Sequence, residues 1–584
     1  MLCLNNFVIV GVSNETLSEI AKQITSSTSL KVKEVIYPSI KILLGFQDAE
    51  CMRSNEDYTI FFNGVFLGET PTSLFSSIIN NFEDFVRDYQ HQGVLALINA
   101  REEVIKVVGD PASTRTIFYL TTPKMFIIST DMELLKSIAK ILDIQLEADI
   151  LAIYEIILLG SIVSRRTMYK KVERLLPGEY IVVKPAENST LEFAVKRYWD
   201  VSSTITEYKE DKGAIISLVK TMNVQLKQFC EETDGSEVVI PISGGIDSTL
   251  LLLLATKAEK CSHIHAVHVN LGVYQELLFS RLVATIFKVP YTYSVLSNTL
   301  LNNTYIQMLS RLLRIIGYPR EGDASLPYLI LAQHIKGVRF SLGGDDSDSI
   351  FGGYDYYKYF GAQLIMEEKI GKLVKLLRIL RKYNYNREKL ASIICKIIRQ
   401  AIFRYHPLRY FYFKLYLRKI LTPKGKRLGK KIAQYLAEVS RELYEGPPQR
   451  YYHHILAKIP TYKTSHLVHT RVKADEYHEI IVYLPFATRK ILEIIMKIPA
   501  EYFFFPIGSR SLARLLLKYF GVPPAIYLQL KSGFSLTEQA LKDSRILQHI
   551  IERVKNCWVS EYINVNKLTP LQIHSIYNVC ELTS

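Results

Sequence analysis

The clearest chemical signal is a run of nine residues, Pro241-Ile242-Ser243-Gly244-Gly245-Ile246-Asp247-Ser248-Thr249. It follows an apolar stretch with strand character and opens a leucine-rich helix. Adjacent glycines let the backbone approach a ligand closely and adopt positive φ. The N–H groups of such a loop, with those of the helix start, make a cradle for an anion. Ser243, Ser248 and Thr249 add hydroxyl donors. A carboxylate inside an anion cradle is repulsive on its own. Asp247 therefore suits a Mg²⁺ that bridges phosphates. The spacing GxxxxGK[ST] is missing, which argues against a P-loop enzyme that transfers a γ-phosphate.

A second signal, Gly343-Gly344-Asp345-Asp346-Ser347-Asp348, follows the short strand VRFSL and precedes Ser349-Ile350-Phe351-Gly352-Gly353-Tyr354. Three carboxylates in four residues repel one another unless cations share the site. In open parallel sheets, ligands gather at the carboxyl ends of strands. Asp348 is the candidate second ligand for the Mg²⁺ at Asp247, and Asp345 the candidate base. A solvated acidic loop is the plainer alternative.

The elements around these loops predict an α/β protein. Up to about residue 200, short apolar runs alternate with turns (FVIVGV, GVLALINA, TIFYLTT, EYIVVK), which predicts a mostly β domain with helices near 133–141 and 150–158. The polar stretch 200–211 reads as a linker. From 212 onward strands alternate with helices, the pattern of a parallel sheet covered on both faces, and the last 150 or so residues are mainly helical.

Composition fits this division. A chain of 584 residues holds two to four domains at roughly 100–200 residues each. Its 48% hydrophobic and 22% charged residues are an ordinary globular balance, and only 28 Gly and 21 Pro exclude collagen-like and broadly disordered chains. The most apolar window contains Pro241, Gly244, Gly245 and Asp247, so no transmembrane helix is predicted. The opening MLCLNNFVIVGVSNE has neither a basic start nor a small-residue cleavage site, which predicts no signal peptide. The seven cysteines are scattered and never CxxC. They predict a reducing, cytoplasmic setting without a disulfide framework or zinc site.

The charge is local. Residues 358–431 carry 21 Lys/Arg against Glu367, Glu368 and Glu388, a net of +18 within a chain total of +15. Ile365, Met366, Ile370, Leu373, Val374, Leu377 and Leu380 predict one amphipathic helix there, and aromatic residues crowd the second half. The segment reads either as a footprint for RNA, acidic lipid or another anionic partner, or as a helical insertion with a solvated basic face.

With both loops in hand, the chain resembles the asparagine synthetase family in its glutamine-dependent, two-domain form. The family's SGGxDS loop is matched by 243–248, and its S-G-E-G-[SA]-D-E-[LV]-F-G-G-Y segment by 343–354. Its Pro-Phe-Leu-Asp run, Leu-Pro-x-Glu turn and Lys-x-x-Phe are similar to Leu484-Pro485-Phe486-Ala487, Ile498-Pro499-Ala500-Glu501 and Lys531-Ser532-Gly533-Phe534. The approach Gly322-Asp323-Ala324-Ser325-Leu326-Pro327-Tyr328 is also similar. In the first domain, Phe62-Asn63-Gly64-Val65, Gly109-Asp110, Ile117-Phe118-Tyr119, Leu176-Pro177-Gly178 and Arg197-Tyr198-Trp199 resemble the family's glutaminase domain. That glutaminase uses Cys as residue 2, where this chain has Leu2, and Val65 replaces the Glu of its Asn-Gly-Glu. Asp345, Ser349 and Ala487 are further departures.

The resemblance implies a degenerate N-terminal-nucleophile (Ntn)-hydrolase-like αββα domain over 1–200, a linker over 201–211 and a doubly wound ATP-pyrophosphatase domain over 212–584. It implies an AMP- and pyrophosphate-forming amide synthetase using ATP and Mg²⁺. The carboxylate, L-aspartate among the candidates, is adenylylated and then attacked by ammonia or another amine, without glutamine hydrolysis. Ser243, Gly244, Gly245, Asp247, Ser248, Thr249 and Gly344 would bind the nucleotide, with adenine against Val267. Asp247 and Asp348 would hold the metal. Lys531 would stabilise developing charge, and Asp345 would accept a proton. Relatives that lost the same cysteine include β-lactam synthetases and lasso-peptide cyclases, so an internal amide-forming reaction on a peptide is an alternative. An RNA-acting enzyme with the same loop and a non-catalytic ATP-binding relative are two more. A homodimer is the expected assembly.

Overall fold

The computed structural model describes residues 1–584 except 5, 13–20, 23–24, 26–29, 37–40, 188–189, 202–204, 206–209, 272, 318–324, 383–389, 460–461, 463–464, 530–535 and 584. The expected linker thus lies largely outside the described residues.

The first 199 residues build two antiparallel sheets. One orders Leu2–Cys3, Tyr58–Val65, Gln92–Asn99, Val104–Val108, Glu179–Ala186 and Thr190–Arg197 side by side, with Met52–Ser54 paired to Tyr58–Val65. The other orders Val172–Arg174, Phe118–Thr122, Met125–Ser129, Phe7–Val12, Lys41–Phe46 and Lys31–Ile36. Their facing sides share one apolar layer that includes Ile9, Phe61, Ile98 and Ile181. Helices cover the outer sides. Leu74, Ile78 and Val86, from Pro71–Asn80 and Phe82–Arg87, pack on the first sheet. Leu135 and Ile153, from Met132–Ile141 and Ile150–Leu159, pack on the second. Burial on both faces explains the nearly unbroken apolar runs: all eight residues of Gln92–Asn99 are buried.

The second part is centred on a five-stranded sheet, ordered Tyr291–Val295, Ile264–Asn270, Val238–Pro241, Phe340–Leu342, Ile481–Tyr483, with every pair parallel. Chain order runs outward in both directions from Val238–Pro241. The order therefore reverses between Val238–Pro241 and Phe340–Leu342, and a crevice opens at the carboxyl ends of such a pair. The strands at this switch point are the two that carry the glycine loop and the acidic loop.

Helices dominate the chain beyond Leu342. The amphipathic helix expected to run through 365–380 is two helices, Tyr357–Met366 and Ile370–Lys382, separated by a turn with Glu368 at φ +57°. Leu376 and Leu380 are buried, but Ile370 and Val374 face solvent, because the break rotates the second helix out of the register that one continuous helix would keep. Among the described residues no helix is long and apolar enough to cross a membrane.

The cysteines correct the sequence expectation. Cys230 is disulfide-bonded to Cys261 and Cys557 to Cys580, with Cα separations of 5.1 and 6.0 Å. Packing of distant segments creates both pairs, so no spacing rule could reveal them, and the cysteines cease to argue for a reducing compartment. Cys3 and Cys51 are buried thiols, and Cys395 is exposed.

Buried polar contacts join the two parts. Gln92 donates from Nε2 to the Leu484 carbonyl at 2.6 Å and the Ala487 carbonyl at 2.7 Å, and its Oε1 accepts from the Leu484 N–H at 3.1 Å. Arg115 pairs with Glu476 at 2.8 Å, and both side chains are almost fully buried. The Thr116 N–H donates to His469 Nδ1 at 3.3 Å. Burial pushes His469 down to about 3, and His453 and His574 to about 4.

Two outcomes are expected. Those histidines are neutral when folded and titrate near 6.5 when unfolded, so the stability they confer is present above pH 6.5 and lost as pH falls toward 4. Urea midpoints measured across that range should fall on acidification. Reduction of the disulfides, which close segments 31 and 23 residues apart, should lower unfolding free energy by about 3 kcal/mol per bridge. Urea melts with and without dithiothreitol check this, and Cys230→Ser should remove part of the difference.

Candidate functional site

The glycine loop is held from beneath. Strand Val238–Pro241 pairs with Ile264–Asn270, and beyond it the Ile242 N–H donates to the Val267 carbonyl at 2.8 Å. Helix Ile246–Lys257 starts at Gly245 without a side-chain cap, so no side chain occupies its first-turn amides. Gly244 has φ +73°, and a Cβ there would lie 2.5 Å from both Phe279 Cβ and Ser280 N. Only glycine meets both conditions. Ser248 Oγ accepts from the Ser243 N–H at 3.3 Å, and Ser243 Oγ accepts from the Gly245 N–H at 3.3 Å. These bonds fix the curvature of the loop with its own hydroxyls.

The acidic loop meets it directly. Gly344 lies against Ser248, where an added Cβ would sit 3.7 Å from Ser248 Cα. Ser347 Oγ donates to Asp247 Oδ1 at 2.9 Å across the junction. Asp346 starts the single turn Ser347–Ile350 with φ +67°, and that turn presents Asp348 on the side of Asp247.

Between the two carboxylates stands Arg510. Its Nη1 lies 2.9 Å from Asp247 Oδ2, and its Nη2 contacts Asp348 Oδ1. Arg510 is buried and itself adopts φ +60°. Burial lowers its pKa while the Asp247 charge opposes that shift. Gly353 makes room for the arrangement: a Cβ there would meet Asp348 Oδ1 at 2.7 Å and Arg510 Nε at 2.9 Å. The Gly353 N–H also donates to the Asp348 carbonyl at 2.8 Å.

Asp345 faces a different set. The Tyr328 hydroxyl donates to Asp345 Oδ1 at 2.5 Å. Below them the Arg471 guanidinium lies 5.8 Å from the Tyr328 ring, pairs with Asp475 at 2.9 Å and donates to Ser341 Oγ at 3.2 Å. Burial pushes Asp475 up to about 7; the Arg471 charge pulls it down, and the Asp345 and Glu476 charges push it up.

The structure thus brings Ser243, Gly244, Gly245, Asp247, Ser248, Gly344, Asp345 and Asp348 to one edge of the sheet. Thr249 is corrected: it is 0% exposed, so a ligand in the crevice cannot reach its hydroxyl, because its place on the helix turns it into the core. Val267 packs among Val239, Ala332 and Ile335, so its visible contribution is the carbonyl that anchors Ile242. Lys531 lies outside the described residues. The chain before it reaches the glycine loop at Gln529, whose amide donates to the Gly244 carbonyl.

Sequence reasoning missed Arg510, Arg471 and Gln529 as parts of this edge. The Gly508-Ser509-Arg510 turn was the one available hint for Arg510.

In the first part, Leu2–Cys3 pairs with Val65 and Gly64. Cys3 and Cys51 sit in the apolar layer beneath the helices, where the neighbouring thiol and burial push the Cys51 thiol far up. The Met1 amine donates to the Phe66 and Glu69 carbonyls and pairs with Glu232 at 2.8 Å. Val65 is buried.

A family model for asparagine synthase matches residues 234–570. The curated glutamine-hydrolyzing asparagine synthetase 1 of Bacillus subtilis (strain 168) is 21% identical over 272 residues, 46% of this chain and 40% of that protein. The chain thus spans about two fifths of that relative's length. Among solved structures, the allosteric regulatory enzyme of purine biosynthesis aligns with 49% of this chain and 80% of its own at 8% identity. Its TM-score of 0.21 supports no conclusion.

Gly244→Ala should cost about 1–3 kcal/mol of stability, because positive φ and the Phe279–Ser280 contact both oppose a methyl group. Urea melts of both proteins check this.

Proposed function

The chain belongs to the asparagine synthase family, and we propose that it is an ATP-dependent ligase joining a carboxylate to ammonia or another amine with release of AMP and pyrophosphate. One observation carries this reading above the others: Asp247 and Asp348, 101 residues apart, converge at the switch point of the sheet beside the Gly244 loop.

The donor chemistry here would suit a divalent cation. The donors are hard carboxylate oxygens, suited to Mg²⁺. They already converge on a positive charge, and a single guanidinium serves two carboxylates, leaving negative charge in excess. Asp247 and Asp348 would hold the metal, with Arg510 adjusting beside them. When bound, Mg-ATP supplies an α-phosphate that converts a carboxylate oxygen into a leaving group.

The loop 243–248 would receive the pyrophosphate portion through backbone N–H groups and the open start of helix Ile246–Lys257. Arg510 would keep the two aspartates aligned and limit their mutual repulsion. Asp345, oriented by the Tyr328 hydroxyl, would accept a proton from the attacking amine. Lys531 would stabilise charge developing on the acyl oxygen or phosphate. The Arg471–Asp475 pair would fix the floor beneath Asp345.

The helix–sheet–sheet–helix layering of the first part supports reading it as an Ntn-hydrolase-like domain. Buried Cys3 and buried, apolar Val65 support the loss of glutamine hydrolysis. The amine would then come from free ammonia or from another amino compound.

A pyrophosphate-release screen over carboxylates tests the proposal, run with ammonia or with glutamine. Turnover is expected with ammonia and not with glutamine. Asp247→Ala should abolish it, and Lys531→Ala should lower kcat about 10²–10³-fold. Absence of pyrophosphate with every carboxylate, or full activity in Asp247→Ala, would overturn the reading.

A further inference from the structure

Residues 390–431 contain 12 Lys/Arg and no Asp or Glu. They form helices Leu390–Phe403 and His406–Ile420 and the first half of Pro423–Val439. Each helix already buries an inward apolar face: Ile393 and Ile397 on the first, Phe413 and Leu417 on the second, Ile432 and Leu436 on the third. The fold therefore does not need further apolar residues outside.

The first two helices nonetheless carry them. Cys395, Ile398 and Ile402 are exposed at i, i+3 and i+7 of the first helix, with both isoleucines 45% exposed. Leu408, Phe411 and Leu415 repeat that spacing on the second, at 44%, 55% and 58%. The interval places each triplet on one helical face. Exposed cations accompany them: Arg399, Arg418 and Lys419 on these helices, then Lys426, Arg427, Lys430 and Lys431 on the next.

We propose that this surface docks on membranes bearing anionic lipid headgroups, with Ile398, Ile402, Leu408, Phe411 and Leu415 entering the acyl boundary and the cations lying at headgroup level. Charge selects the partner class: Lys396, Arg409 and Lys424 pair with Asp355, Glu445 and Glu561, and the seven exposed cations named above complement an anionic sheet and oppose a second copy of the same face. Side-chain type then separates lipid from RNA. The exposed large apolar side chains of 390–431 are six aliphatic (Leu390, Ile398, Ile402, Leu408, Leu415, Leu428) against three aromatic (Tyr405, Phe411, Tyr412); aliphatic groups offer no stacking face for bases, whereas acyl chains accept any apolar surface. Attachment would be superficial, because no described helix can span a bilayer.

Cys395 supplies the probe. It is the one exposed thiol, since four of the seven cysteines are disulfide-bonded and Cys3 and Cys51 are buried. The full chain, labelled there with an environment-sensitive maleimide dye, is mixed with phosphatidylcholine vesicles with or without phosphatidylglycerol. A blue shift and co-sedimentation are expected only with phosphatidylglycerol and should weaken at high salt. The triple variant Leu408→Ser, Phe411→Ser, Leu415→Ser should partition about tenfold less. A second variant, Lys426→Glu with Lys430→Glu, should lose the preference for the anionic lipid; both should keep wild-type circular dichroism. Equal signals on both vesicles, no signal on either, or binding to transfer RNA in place of vesicles would overturn the proposal. Vesicle-independent self-association that produces the same blue shift would overturn it as well.

Discussion

The guanidinium of Arg510 between Asp247 and Asp348 is the contact on which the geometry of this sheet edge depends. Two carboxylates facing a common crevice repel each other, and each pays for leaving water. A buried cation shared between them offsets both costs. It also explains why two residues tolerate left-handed backbone here, Asp346 at φ +67° and Arg510 at φ +60°, and why Gly353 can carry no side chain. The strain is local and the compensating charge interaction is local too.

Below this edge the protein places a second charged pair, Arg471 with Asp475, in full burial. It has a different job. It supports Ser341 in the strand that leads into the acidic loop and lies under Tyr328, which holds Asp345. The acidic loop is therefore fixed from two directions, by Arg510 from the side and by the Arg471 group from beneath. The carboxylates end up assigned to separate environments: Asp247 and Asp348 share a cation, while Asp345 accepts a hydrogen bond from a phenol.

Much of this edge was legible in the sequence because its information is local. A glycine pair after a strand and before a helix has few alternatives, and carboxylates at consecutive loop positions demand cations. The parallel sheet was legible from the alternation of strands and helices. Arg510 was not, because an arginine 263 positions from Asp247 in a helical region carries no local mark of its partner. The disulfides were hidden for the same reason, since Cys230 meets Cys261 only after the helix Ala214–Glu232 packs beside the sheet. The break at Glu368 escaped a periodicity argument because apolar spacing on both sides suits one continuous helix equally well.

Gln92 gives the first part a role that owes nothing to chemistry of its own. Its amide satisfies the Leu484 and Ala487 carbonyls and the Leu484 N–H, main-chain groups just beyond the last strand of the parallel sheet. That single side chain works as a splint for the turn after Ile481–Tyr483. The second part cut free of its companion would bring those three groups out unpaired, so the first part serves it as scaffolding.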